Sequence, residues 1–151
     1  MGTVEIWRGT DEDREWAAGL FAGSEPWITL GTTIEKCRAT CSNPEYNVYI
    51  ARSDGARCGV MVLHPRGMAS SPYIKSIAVA EGFGNRGIGS ALMDFAEDLC
   101  RGESRHVFLC VSSFNTRARA FYERRGYRAV GELEDYVIEG ASETILCKRL
   151  R

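Results

Sequence analysis

Residues 74–99 read IKSIAVAEGFGNRGIGSALMDFAEDL, and this stretch decides the fold. The apolar run at residues 74–80 predicts a buried strand, and the apolar side chains from residue 88 onward recur at helical spacing. A turn with four glycines lies between them. Such a turn favours anions, because its backbone N–H groups and the positive end of the helix dipole point to the same place. We therefore expect a phosphate-bearing ligand at this turn.

The glycines of the turn fit two overlapping patterns. Gly82-x-Gly84-x-x-Gly87 follows a predicted strand, as the dinucleotide fingerprint G-x-G-x-x-G requires. Shifted by two residues, Gly84-x-x-Gly87-x-Gly89 gives a second spacing, which indicates a different ligand. Chance matches are also expected, since the chain contains 16 glycines in 151 residues. The turn alone leaves three interpretations open: either of the two ligands, or a tight turn that binds none.

Length and composition predict one globular domain spanning residues 1–151. The chain is 44% hydrophobic and 26% charged, with a net charge of −1. This near-neutral charge argues against nucleic acid or an anionic membrane as a partner. We find no apolar run of the roughly 18 residues that a spanning helix needs, and the first residues lack the features of a signal peptide. We therefore expect a cytoplasmic protein.

The six cysteines are expected to be free thiols rather than disulfides or metal ligands. The sequence has no C-x-x-C, and only His64 and His106 are available to complete a metal site. Cys58, Cys110 and Cys147 fall within strand-like runs, where a free cysteine behaves as a small apolar group. The expectation is core packing, with no bound metal.

The remaining patterns predict a mixed α/β domain of about six to seven strands and about four helices. Capping boxes at Thr10 and Thr32 each predict a helix, a third helix follows the glycine turn, and Asn115 caps a fourth. Residues 66–72 are rich in Gly, Ser and Pro and predict a loop. The predicted strands lie at residues 3–7, 47–52, 58–64, 74–80, 106–111, 127–131 and 144–148.

A second motif, at residues 115–127, decides between the glycine patterns. It reads NTRARAFYERRGY. Together with the spacing Gly84-x-x-Gly87-x-Gly89, it resembles the GNAT superfamily of acyl-CoA-dependent N-acyltransferases over residues 74–131. A dinucleotide site would also need an acidic residue at the end of its second strand, where this chain has Ser112 and Ser113.

The resemblance implies a single GNAT-like domain with a central mixed, mostly antiparallel sheet, and acetyl-CoA as the bound acyl donor. It implies that Ile77 donates the backbone N–H that polarises the thioester carbonyl, with Val79 as a further main-chain contact. Asn115 would bond the pantetheine arm, and Tyr122 would act as general acid toward the leaving thiolate. The diphosphate would be held by the turn residues Gly84, Asn85, Arg86, Gly87, Ile88, Gly89 and Ser90.

The activity that the resemblance implies is transfer of an acetyl group to a primary amine, by direct attack in a ternary complex. Its general base is not identified by the sequence. Histone-directed members of the family have a glutamate where this chain has Tyr73. The candidates are Glu81, His64, Glu134 and Asp135.

The acceptor amine is expected to meet an apolar or aromatic wall, to which Trp27, Tyr73 and Tyr136 would contribute, together with Phe21 and Ile28. The last strands could pair across a homodimer. One alternative is a non-catalytic acyl-CoA-binding or sensor module of the same fold. Two departures from the family motivate it: the glutamate replaced at residue 73, and the Gln or Arg of the phosphate loop replaced at residue 84.

Overall fold

The computed structural model describes residues 3–151, which form a single α/β domain. The strands of this part of the chain are β1 (Val4–Arg8), β2 (Asn47–Ser53), β3 (Ala56–Met68), β4 (Ser71–Val79), β5 (His106–Ser112), β6 (Arg128–Leu133) and β7 (Glu143–Arg149). Its helices are α1 (Asp11–Ala22), α2 (Trp27–Leu30), α3 (Ile34–Ser42), α4 (Ile88–Arg101) and α5 (Thr116–Arg124). The predicted fold class is confirmed, with one short helix more than expected.

The seven strands form one sheet in the order β1-β2-β3-β4-β5-β7-β6. Neighbouring strands are antiparallel except β4 and β5, which run parallel. This parallel pair is short, because it consists of Tyr73 opposite Phe108 and Ile74 opposite Leu109. Beyond these two positions, residues 75–79 of β4 have no partner on β5. The sheet therefore opens between its two central strands.

A bulge in β4 helps to set the direction of its side chains. Val62 pairs with Ser76 and Leu63 pairs with Ile74, so Lys75 is the extra residue of the bulge. Ile74 and Ile77 consequently face the same side of the sheet, where they pack with the core beneath α4. That core also contains Leu92, Met93, Met61 and Leu109. The core on the opposite face lies beneath α1 and α3 and contains Phe21, Cys37, Val48, Ile50 and Val60.

A buried carboxylate joins α4 to the far part of the sheet. Glu97 of α4 is 3% exposed and accepts hydrogen bonds from the Lys148 ammonium at 2.7 Å and the Tyr127 hydroxyl at 3.0 Å. The oxygen that accepts from Tyr127 is also 3.3 Å from the Arg125 guanidinium. Since a buried charge is tolerated only when it is paired, these contacts fix the position of α4 relative to β7.

A second buried carboxylate caps α1. Asp13 is 1% exposed, lies 2.6 Å from the Arg52 guanidinium and 2.8 Å from that of Arg57, and forms a capping box with Thr10. Desolvation tends to raise the pKa of Asp13, but the hydrogen bonds from Thr10 and Arg57 outweigh it and hold the pKa below its usual value. The carboxylate therefore stays ionised and binds α1 to strands β2 and β3.

Two local predictions were wrong. The cap of α3 is Thr33 rather than Thr32, since the Thr33 hydroxyl accepts from the Lys36 N–H at 3.2 Å. The single-turn helix α2, between α1 and α3, was not predicted. The loop predicted at residues 66–72 is the end of a hairpin, in which β3 continues to Met68 and β4 begins at Ser71.

The six cysteines are free thiols, as expected. Cys37, Cys41, Cys58 and Cys100 are buried, whereas Cys110 and Cys147 are partly exposed. No helix within residues 3–151 is both long and apolar enough to cross a membrane.

Candidate active site

The gap between β4 and β5 continues into a cleft with a volume of about 890 Å³. One half of the cleft is formed by the glycine turn, the start of α4 and one side of α5. The other half is formed by α1, α2 and the β6–β7 connection, together with the ends of β5 and β7. The cleft thus reaches both faces of the sheet, so two ligands that enter from opposite sides could meet in it.

The glycine turn presents its backbone to the cleft. Gly87 is the N-cap of α4 with φ of +76° and no side-chain cap, so the first N–H groups of the helix are available to a ligand. Gly82 and Asn85 also have positive φ, +89° and +61°. Apart from Arg86, every residue of the turn that sequence analysis singled out lines the cleft. This arrangement suits an anion such as a phosphate.

Arg86 does not line the cleft, although it is among the turn residues that were expected to hold the diphosphate. Its guanidinium lies over the Phe83 ring, 5.3 Å from the centroid. A Cβ built on Gly84 would meet no atom within 4 Å, so the turn has room for the Gln or Arg side chain that the resemblance led us to expect there. The turn therefore offers an anion mainly main-chain N–H groups.

The exposed edge of β4 points two N–H groups into the cleft. The Ala80 N–H donates to the Cys58 carbonyl of β3 at 2.8 Å. N–H groups alternate in direction along a strand, so those of Ile77 and Val79 point away from β3. Both residues line the cleft, beyond the last residue that pairs with β5. These N–H groups can therefore donate to a ligand.

The N-cap residue of α5 and one residue within this helix line the same half of the cleft. Asn115 caps the helix, since its side-chain oxygen accepts from the Ala118 N–H at 3.3 Å. Tyr122 is 7% exposed and packs edge-on against Phe121 and Tyr127, with ring centroids 5.3 Å and 5.9 Å apart. Burial raises the pKa of Tyr122 far above its ordinary value, so the phenol is protonated at neutral pH and can donate a proton or a hydrogen bond.

Aromatic residues line the other half of the cleft. The Phe21 and Trp27 rings contact each other at 4.7 Å between centroids, and both lie on the wall made by α1 and α2. Tyr73 and Tyr136 also line the cleft, and Tyr136 is 67% exposed. Ile28 does not line it. Four of the five residues that were expected to form the aromatic wall therefore line the cleft.

The cleft includes only one of the four residues considered as a base, namely Glu81, and that side chain is exposed. His64 instead packs against Tyr46, with ring centroids 4.9 Å apart. Asp135 accepts a hydrogen bond from the Gly140 N–H at 2.6 Å, and Glu134 lies outside the cleft.

Glu143 is a cleft residue that sequence reasoning missed. It is the first residue of β7, opposite Ser112 of β5, and its carboxylate accepts from the Ser112 hydroxyl at 2.5 Å. Desolvation raises the pKa of Glu143, although the hydrogen bond from Ser112 partly offsets this effect. The hydrogen bond to Ser112 joins residues 31 positions apart, so it leaves no local pattern in the sequence. The sequence shows only a charged residue at the start of an apolar strand.

No group of three or more His, Cys, Asp or Glu side chains among residues 3–151 is arranged to hold a metal ion. The chemistry available in the cleft includes backbone N–H donors, a buried phenol and a partly buried carboxylate.

Comparison with known proteins adds to this geometry. The uncharacterized protein YxbD of Bacillus subtilis (strain 168) is 44% identical over 45 residues, which is 29% of this chain and 28% of that protein. A GNAT-family protein of Desulfovibrio desulfuricans superposes with a TM-score of 0.83 at 20% identity, covering 99% of this chain and 100% of the other. A GNAT-family acetyltransferase of Elizabethkingia anophelis, solved with acetyl-CoA bound, superposes with a TM-score of 0.78 at 19% identity and 97% coverage of both chains.

These structural similarities are low in sequence identity and establish the fold. The family itself follows from the sequence, because the model of the acetyltransferase (GNAT) family matches residues 7–127, most of the chain. That match includes both the glycine turn and the α5 motif, and it ends at Tyr127. The chain therefore belongs to the GNAT acetyltransferase family.

Proposed function

We propose that this protein is an N-acetyltransferase that moves an acetyl group from acetyl-CoA to a primary amine. The observation that carries the proposal is a single cleft with a main-chain anion site at one end and a buried, protonated phenol beside an unpaired strand edge. The diphosphate of an acyl-CoA needs the anion site. The chemistry at the thioester needs the phenol and the free N–H groups of the strand edge. Family membership and the acetyl-CoA bound to the Elizabethkingia anophelis protein support this ligand.

The cofactor would lie along the exposed edge of β4. Its diphosphate would accept hydrogen bonds from the N–H groups of the turn at Gly84–Ser90, where the helix dipole favours negative charge. The pantetheine arm would continue past Val79, with Asn115 as a further hydrogen-bonding partner. In this arrangement the thioester reaches the N–H of Ile77.

The transfer needs stabilisation of an oxyanion and protonation of a thiolate. The Ile77 N–H would donate to the carbonyl oxygen as negative charge develops, and one such fixed donor is worth about 2.7–4 kcal/mol. Tyr122 would give its proton to the departing sulfur, a role that contributes about 100-fold or more. Both groups are in place before the reaction, so little reorganisation is required.

Direct attack by the amine is favoured over an acetylated enzyme intermediate. The thiols that line the cleft are Cys37 and Cys110, and burial raises the pKa of both, in Cys110 despite the hydrogen bond from Tyr73. A thiol that stays protonated is a poor nucleophile. The cleft also opens on both faces of the sheet, so donor and acceptor could be bound at once.

The experiment that tests this function has two parts. Calorimetry with acetyl-CoA measures binding, and release of free thiol measures transfer to a panel of 2-phenylethylamine, spermidine, an aminoglycoside and a short peptide with a free N-terminus. We expect saturable thiol release with at least one amine and initial-rate plots that intersect, as a ternary complex requires. Binding without transfer to any amine would favour the sensor module, and parallel plots would indicate an acetylated enzyme.

A further inference from the structure

The cleft contains a group that the proposed reaction has not yet used, the carboxylate of Glu143. Residues alternate between the faces of a strand, and Leu109 and Val111 belong to the core beneath α4. Cys110 and Ser112 of β5 therefore face the other side, and so does Glu143, which pairs with Ser112. Glu143 thus lies on the side of the sheet that carries α1 and α3, across the gap from the anion site.

Three carboxylates line the cleft, and their surroundings differ. Glu25 and Glu81 are exposed. The Glu25 carboxylate accepts hydrogen bonds from the backbone N–H and the hydroxyl of Thr29, at 2.9 Å and 2.7 Å. Glu143 is partly buried and held by one donor, the Ser112 hydroxyl, which leaves its remaining lone pairs for a ligand. It is therefore the carboxylate best placed to meet a substrate proton away from bulk water.

The groups that interact with Glu143 besides Ser112 come from the two central strands, namely the phenol of Tyr73 from β4 and the thiol of Cys110 from β5. The phenol of Tyr136, from the β6–β7 connection, lines the same cleft. The cations that line the cleft are the ammonium of Lys75 and the guanidinium groups of Arg117 and Arg124. The Lys75 ammonium lies 5.7 Å from the centroid of the Tyr46 ring. Glu143 thus has a phenol and a thiol as neutral neighbours, in a cleft that also contains cations.

We infer that Glu143 takes the proton from the ammonium group of the acceptor, and that the acceptor is a primary amine with one positive charge and an aromatic or apolar remainder. The inference rests on the proposed function, since it assigns the acceptor half of the same cleft. Trp27 and Tyr136 offer aromatic surface to the remainder. The ammonium of Lys75 would repel a second positive charge on the substrate.

The step balances as follows. One N–H bond of the ammonium breaks and an O–H bond forms on Glu143, which leaves a lone pair on the nitrogen. That pair forms the C–N bond while the carbonyl electrons move to oxygen. When the C–S bond breaks, sulfur keeps the electron pair and takes the proton of Tyr122, and the second proton lost by nitrogen restores Tyr122 through water. Glu143 then releases its proton to solvent, so the products are the amide, the free thiol and one proton.

The test compares the wild-type protein with Glu143→Gln by thiol release from acetyl-CoA with 2-phenylethylamine, from about pH 6 to about pH 9. Gln keeps the shape of the side chain and can still bond Ser112, but it takes no proton. We expect kcat/KM near neutral pH to fall about 100-fold or more. The limb that reports Glu143 should be replaced by a steady rise across the whole range as free amine accumulates, so the deficit should shrink with rising pH. Glu139→Gln removes an exposed carboxylate outside the cleft, on the connection that precedes β7, and should leave the profile unchanged.

The possible results distinguish a failure of this inference from a failure of the proposed acetyltransferase function. If Glu143→Gln keeps the wild-type rate and acid limb, Glu143 is not the proton acceptor. If spermidine is turned over faster than 2-phenylethylamine, the acceptor class is wrong. If the wild-type protein transfers acetyl to no amine, the proposed function fails and the inference falls with it.

The variant Glu143→Asp tests whether the loss of activity comes from misfolding rather than from the missing carboxylate. This variant retains a carboxylate, so it should lower kcat while keeping the acid limb and acetyl-CoA affinity. If Asp and Gln variants lose acetyl-CoA binding to the same extent, the residue has a structural role and the inference is refuted.

Discussion

Replacing Tyr122 with phenylalanine removes one hydroxyl from the cleft and leaves the ring where it is. Tyr122 is 7% exposed, and its ring contacts with Phe121 and Tyr127 are retained in the variant. The change in the free energy of unfolding should therefore stay within about 1 kcal/mol. The loss should appear in catalysis: kcat should fall about 100-fold or more, which corresponds to about 3 kcal/mol of transition-state stabilisation.

The pH dependence follows from the direction of the pKa shift. Burial raises the pKa of Tyr122, so its acid form persists from neutral pH to above the ordinary pKa of tyrosine. The wild-type rate should show no alkaline limb from this residue up to about pH 10. The deficit of Tyr122→Phe should accordingly be the same at neutral and moderately alkaline pH.

The assay measures thiol release at saturating acetyl-CoA, with calorimetry for acetyl-CoA affinity and urea denaturation for stability. Tyr127→Phe is the matched control, because the Tyr127 hydroxyl donates to Glu97 and lies outside the cleft. This control should lose about 1–2 kcal/mol of stability and keep its kcat. A kcat for Tyr122→Phe within twofold of wild type would refute the general-acid role, as would an equal kcat loss in both variants.

Three further predictions concern other parts of the molecule. Ser112→Ala removes the hydrogen bond that favours the ionised form of Glu143, so the acid limb of kcat/KM should move to higher pH; a pH profile that does not move would contradict this. Gly87→Ala forces a side chain into a backbone with φ of +76° and should cost about 1–2 kcal/mol in urea denaturation while weakening acetyl-CoA binding in calorimetry, whereas Gly84→Ala should change neither. Asp13→Ala leaves two guanidinium groups without their partner and should cost about 3 kcal/mol at neutral pH. Because the pKa of Asp13 is lowered by folding, its contribution is lost as pH falls through that pKa, and urea denaturation near pH 3 should show a smaller difference from wild type.

The parts of the site that depend on local sequence were predictable. The turn at Gly87 and the cap at Asn115 are set by residues next to one another, and both are where the sequence indicated. The hairpin between β3 and β4 was missed because Ala69 and Ser70 occupy its turn with φ of +49° and +64°. A turn of this kind is usually recognised by Asn or Gly, and neither residue provides that signal.

Glu143 was missed for a different reason. Its place in the cleft depends on the register between β5 and β7 and on the connection that precedes β7, both of which are long-range properties. The wrong choice of Thr32 over Thr33 is a smaller case of the same kind. Both residues can cap a helix, and only the path of the chain from α2 decides between them.

The unpaired edge of β4 has a consequence for how this protein tolerates substitution. A hydrogen bond from a main-chain N–H survives any change of side chain except replacement by proline, which has no N–H to donate. If the N–H groups of Ile77 and Val79 contact the acyl donor, most substitutions at these positions would alter packing and leave the contacts with the donor in place. Selectivity for the acceptor depends on side chains and can change separately. The same backbone could thus acquire a new acceptor while retaining its acyl donor.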